Sequence, residues 1–134
     1  MKNKSKLRKI KEKNNKAPAC PKDWLYLNEQ EITPRDIAEV FEGDGEMRSQ
    51  LWEEAGVVEI EFPEAKSVDL EFAQLPVGDQ ELDDYFAKNQ IKTVFFVTIA
   101  PEDYGTAKRA MEQIAEKLGG YFCGDTADFA PVVK

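Results

Sequence analysis

Val57-Val58-Glu59-Ile60-Glu61-Phe62-Pro63-Glu64-Ala65-Lys66-Ser67-Val68-Asp69-Leu70-Glu71-Phe72 alternates apolar and acidic residues twice, once on each side of a short bend. Successive side chains of a strand point to opposite faces. Val58, Ile60 and Phe62 therefore face a core, with Glu59 and Glu61 on the other side. Val68, Leu70 and Phe72 repeat the pattern against Asp69 and Glu71. The segment from Pro63 to Ser67 has turn composition, so the stretch predicts two strands of a hairpin.

Downstream, the hydrophobic period alternates between helix and strand. Asp79 is placed to cap a helix carrying Leu82, Tyr85 and Phe86. Thr93 to Ile99 is a continuous apolar run, which predicts a central strand covered on both faces. Ala107, Met111, Ile114 and Leu118 form one stripe on a helix that starts near Pro101 and stops at Gly119-Gly120, before Tyr121-Phe122-Cys123 as a last strand. From about residue 57 the chain reads β-β-α-β-α-β. The fold class is α+β, with helices on one face of a mostly antiparallel sheet and a ferredoxin-like core.

Upstream, Asp23 to Leu27 reads as a short strand or an extended arm packed on the body. Ile32-Thr33-Pro34-Arg35-Asp36-Ile37 is a helix start: Thr33 caps, Pro34 fits the first turn, and Ile32 and Ile37 form a hydrophobic staple. That helix buries Ile37, Val40 and Phe41 and stops at Gly43. Met47, Leu51 and Ala55 then recur at helical spacing and predict a second helix ending at Gly56. Ile32, Ile37, Val58, Ile60, Phe62, Phe95, Val97, Met111, Ile114 and Leu118 are expected to share one core.

The net charge of −8 over 134 residues conceals a division. Residues 1–16 hold eight of the eighteen basic residues and one of the twenty-six acidic ones, which leaves ten basic against twenty-five acidic residues in 17–134. With only Met1, Leu7 and Ile10 as large apolar side chains, 1–16 is expected to be a disordered basic tail ahead of a single acidic domain at 17–134. A body of that charge repels phosphate backbones and anionic lipid, so nucleic acid or the ribosome would be engaged only through the tail, and no membrane role is expected. The body suits a basic protein instead.

Histidine is absent, which removes the commonest metal ligand and general base, so no metal, cofactor or catalytic residue is assigned. A small enzyme using paired carboxylates is kept as an alternative. Cys20 and Cys123 cannot build a disulfide framework, and Cys123 has no activating neighbour in sequence. The expected compartment is the reducing cytoplasm. Ala17-Pro18-Ala19-Cys20 lacks the apolar run that a lipidation signal needs before it.

Candidate binding residues are Glu59, Glu61, Asp69 and Glu71 on the hairpin, because like charges on neighbouring strands repel unless a partner relieves them. The same alternation belongs to any one-sided antiparallel sheet, so an ordinary solvated face is the simpler reading. Asp125 and Asp128 lie in a Gly-Asp-Thr-Ala-Asp-Phe turn, whose composition suits a binding loop or simple turn chemistry. Glu42, Asp44, Glu46 and Glu53 fall at calcium-loop offsets, but Met47 stands where the loop's sharp turn needs Gly. Trp24 and Trp52 are candidates for core packing or for interface anchors.

Ile114-Ala115-Glu116-Lys117-Leu118-Gly119-Gly120-Tyr121-Phe122-Cys123-Gly124 resembles the end of the regulator-of-ribonuclease-activity B family, acidic proteins with a similar helix, double Gly and strand. The likeness is confined to this segment, has Cys123-Gly124-Asp125 in place of that family's Asp-Gly-Trp run, and implies no site residue. The function expected is a non-catalytic binding or regulatory module, inhibitor-like or immunity-like, that engages a basic protein through an acidic surface.

Overall fold

Strand β1 (Asp23–Asn28) is followed by helix α1 (Pro34–Val40), then by β2 (Arg48–Trp52), β3 (Val57–Glu61) and β4 (Val68–Ala73). Helix α2 (Gln80–Lys88), strand β5 (Thr93–Thr98), a 3-10 turn at Pro101–Asp103, helix α3 (Tyr104–Leu118), β6 (Tyr121–Gly124) and β7 (Val132–Val133) complete the chain. This computed structural model describes residues 20–134, so the tail expected over 1–16 lies outside the described residues. The strands form one antiparallel sheet in the order β2-β3-β4-β5-β1-β6-β7. Mixed helices on an antiparallel sheet make the fold α+β. Among the described residues no helix is long and apolar enough to cross a membrane.

The helix start at Thr33 forms as its residues dictate. Thr33 Oγ1 accepts Asp36 N (3.1 Å) and Asp36 Oδ2 accepts Thr33 N (2.9 Å), a reciprocal capping box. Asp79 caps α2 by accepting Leu82 N at 3.2 Å. All ten residues expected in one core pack together, with Phe62 and Leu118 at its margin.

Two expectations are corrected, and one alternative is decided. Residues 47–55 form an edge strand and a turn instead of a second helix. Arg48, Gln50 and Trp52 are exposed while Ser49 and Leu51 are half-buried, a period of two, and β2 pairs residue by residue with β3 from Arg48↔Glu61 to Trp52↔Val57. Met47 and Leu51 satisfy either period, and the nonlocal pairing decides between them. Of the two readings of Asp23 to Leu27 the strand holds: β1 lies inside the sheet between β5 and β6, with Trp24 through Leu27 fully buried.

The helices also occupy both faces of the sheet. Trp24, Tyr26, Val58, Ile60, Leu70 and Phe95 pack with Ile37 and Val40 of α1 and with Met111 and Ile114 of α3. Leu25, Leu27, Ala73, Val94 and Cys123, which alternate with that set, pack instead with Leu82 and Phe86 of α2. A strand buried on both faces needs two covers, and α2 supplies the second.

Gly119 and Gly120 allow α3 to turn directly into β6. Gly120 has φ +74°, and a Cβ there would collide with the Leu27 carbonyl oxygen. Asn28 fastens the same corner: its Nδ2 donates to Tyr26 Oη (2.9 Å) and Leu118 O (3.1 Å), and Tyr26 Oη donates to Gly119 O (2.7 Å).

Candidate functional site

Helix α2 covers the β5, β1 and β6 side of its face and meets β4 only at Ala73, and the same face of β2, β3 and the rest of β4 carries no helix. The register places the candidate carboxylates there in rows. One row runs Gln50, Glu59, Asp69, Thr98, Asp23 across five strands. Asp125 N donates to Asp23 O (2.9 Å), which carries the β1–β6 register one residue beyond Gly124 and puts Asp125 opposite Asp23. The next row runs Trp52, Val57, Glu71, Phe96, Leu25. Glu61 lies opposite Arg48 at the margin.

Glu59, Glu61, Asp69 and Glu71 thus share one face, and Asp125 shares their row at the far side of the sheet, where it is buried (5 % exposed). Asp128 does not join them. It is exposed in the following turn, where Thr126 Oγ1 lies 3.0 Å from Asp128 Oδ1 and accepts Ala130 N at 3.1 Å. Phe129 in that turn stacks on Tyr85 with ring centroids 3.9 Å apart, which fastens the segment to α2.

Glu59 and Asp69 are directly opposed, a pairing that sets Cβ atoms about 4.5–5.5 Å apart. Glu61 accepts Gln50 Nε2 (2.8 Å) and lies 3.7 Å from the Arg48 guanidinium, and Asp69 accepts Ser67 Oγ (3.0 Å). Among the described residues no hydrogen bond or ion pair engages the side-chain carboxylate of Glu59 or of Glu71. An open cavity of about 520 Å3 at the margin is lined by Glu46, Arg48, Glu59, Glu61, Phe62 and Pro63. Its lining combines carboxylates with the apolar Phe62 and Pro63, a composition suited to a lysine or arginine side chain with its aliphatic stem.

Sequence reasoning missed Asp23, Arg48, Gln50 and Trp52 on this face. The side of β1 that bears Asp23 was legible, since Asp23 alternates with Trp24 and shares the side of Leu25, but its place in this row was not, and the other three belong to the segment that the helical spacing misassigns. Of the two tryptophans, Trp24 is buried, and its Nε1 donates to Pro21 O at 2.8 Å. Trp52 is 47 % exposed.

The remaining candidates resolve into structural roles. Asp44 accepts Glu46 N and Met47 N (2.8 Å each), and these backbone bonds, Met47 first, hold its carboxyl below the usual carboxylate range. Glu46 pairs with Arg109 (3.4 Å) and Glu53 with Arg35 (2.7 Å), so the calcium-loop offsets do not converge. Among the described residues no group of three or more His, Cys, Asp or Glu is arranged to hold a metal ion. Cys20 and Cys123 are free thiols, and burial, with the Asp125 charge second, pushes Cys123 up to about 12. A second cavity, of about 420 Å3, lies beside Asn28, Gln30, Leu118 and Tyr121, where the Asn28 amide is already committed to the corner described above.

An α+β chain with one bare, acidic half-face is the class that fold and site define. Comparison with family models, with curated proteins and with solved structures found no match to the chain.

Proposed function

We propose that the chain is a non-catalytic protein-binding or regulatory module, inhibitor-like or immunity-like, that engages a basic protein through the bare sheet face. The observation that carries this reading is the clustering of Glu59, Glu61, Asp69 and Glu71 on a helix-free half-face, with Asp23 continuing their row on β1 and Arg48 as their counter-charge. Such a face attracts and orients a basic surface, and its repulsion in the free protein is relieved on binding. Trp52 and Phe96 in the adjoining row supply aromatic surface beside the charges. The ferredoxin-like reading belongs to the same proposal: the order β4-β5-β1-β6, with α1 and α3 on the common face, supports it once β1 replaces β3 as a core strand.

Replacement of Glu59, Glu61, Asp69 and Glu71 by Gln tests the proposal. Stability should rise, by about 0.2–1 kcal/mol from the opposed Glu59–Asp69 pair alone. Capture of a basic protein on the immobilised chain should be lost, and the parent's association rate should fall steeply with salt. Comparison with and without residues 1–16 separates any contribution of the basic tail. Equal affinity and equal salt slope for variant and parent would remove this face from consideration.

A further inference from the structure

The sheet ends on β2, and no described strand pairs with its outer side. The phase of the ladder identifies which main-chain groups are left there. Phe72 N donates to Gly56 O (2.8 Å), one residue beyond the β3–β4 register, so Val58 and Ile60 exchange their hydrogen bonds with β4. Val57, Glu59 and Glu61 then exchange theirs with Trp52, Gln50 and Arg48, and Ser49 and Leu51 turn their N–H and C=O groups outward. Met47 N, in the same phase, is satisfied by Asp44 Oδ1. Among the described residues the outward main-chain groups of Ser49 and Leu51 have no such partner.

Edge strands are ordinarily blunted by proline, charged side chains (lysine above all), a bulge or extreme shortness. β7, on the opposite edge, is two residues long. β2 has five regularly paired residues and neither proline nor lysine. Its exposed side chains are complementary under a two-fold rotation. Trp52 is 47 % exposed and stacks on no ring of its own chain among the described residues, and the Arg48 side chain is 81 % exposed with Glu61 3.7 Å away.

We infer that β2 is a homodimerisation edge, pairing antiparallel with β2 of a second copy about an axis through Gln50. In that register Ser49 and Leu51 of one copy exchange main-chain hydrogen bonds with Leu51 and Ser49 of the other. Arg48 then lies opposite Trp52 of the second copy, twice, in the closer non-hydrogen-bonded pairs that bring a guanidinium over an indole face. Registers shifted by two residues keep the same phase but set Arg48 against Gln50 or Glu54, so this one alone joins Arg48 to Trp52. The contact is a single strand pair, smaller than the roughly 1,200 Å2 of stable interfaces, so the dimer is weak, with a dissociation constant of about 10 µM to 1 mM. Two acidic bodies repel, so this association tightens as salt rises, the opposite sign to capture of a basic protein.

Sedimentation of the full chain from about 10 µM to 1 mM should show reversible dimerisation. Trp52→Arg should abolish it by opposing two guanidinium groups, and the double swap Arg48→Trp with Trp52→Arg should restore it. In a Cys20→Ser background, Gln50→Cys should form a disulfide with its own copy under mild oxidation, and Arg48→Cys should not, because only position 50 meets itself across the axis. A monomer throughout this range would overturn the inference, as would a Trp52→Arg protein that still dimerises or equal cross-linking at positions 48 and 50. Capture of another protein's strand on β2 by a chain that does not self-associate would reassign the edge to that partner.

Discussion

Cys123 and Asp44 show how one carboxylate or thiol takes its chemistry from its surroundings. Cys123 is buried between β1 and the α2 side of the core, and its pKa of about 12 leaves a thiolate fraction on the order of 10⁻⁴ at pH 8. Alkylation at that pH should give a single adduct at half-buried Cys20, read by mass spectrometry. A rapid second adduct at Cys123 would contradict the packing. Asp44 has the reverse bias: two backbone N–H groups favour its charged form, so its folded value lies below its unfolded one. Its contribution is present above the ordinary carboxylate value and lost as pH falls through the depressed one. Asp44→Ala should lower stability by about 1 kcal/mol at neutral pH, and the difference from the parent should vanish in acid denaturation curves.

Among the elements, α2 and α3 cover opposite faces of one sheet, and this makes their contributions separable. Ile114→Ala on α3 should cost about 2–5 kcal/mol and Phe86→Ala on α2 about 3–5 kcal/mol. Because the two side chains belong to different clusters, the double variant should be additive within about 0.5 kcal/mol in denaturant titrations. Strong coupling would place both helices on one face, as the sequence led us to expect. Much of the element order was legible, because the hairpin at Val58–Phe72, the cap at Thr33 and the stripe ending at Leu118 are local signals. The segment Met47–Ala55 was not, since its spacing fits both periods until β3 pairs with it. Helix sidedness was obscured for a related reason: Thr93–Ile99 announces two covered faces but does not say which helix covers which. The acidic face was legible as four residues, whereas its extension to Asp23 and Asp125 depends on β1 lying in the middle of the sheet.

For the whole molecule, the ion pairs Arg35–Glu53, Arg48–Glu61, Lys66–Glu102 and Arg109–Glu46 are exposed and contribute little against the excess of carboxylates in 17–134. Screening should therefore raise stability, and melting temperature should climb between about 0.01 and 0.5 M NaCl, most clearly in a chain lacking residues 1–16. A melting temperature that falls with salt would show that the ion pairs outweigh the repulsion. The placement of β1 carries a further consequence. Strand β1 has its two neighbours, β5 and β6, far downstream, and Tyr26 reaches Gly119 across 93 residues of chain. During synthesis Trp24-Leu25-Tyr26-Leu27 must wait, apolar on both sides, until β5 and β6 have emerged. The segment that anchors the finished sheet is thus the one most open to chaperone capture in the nascent chain.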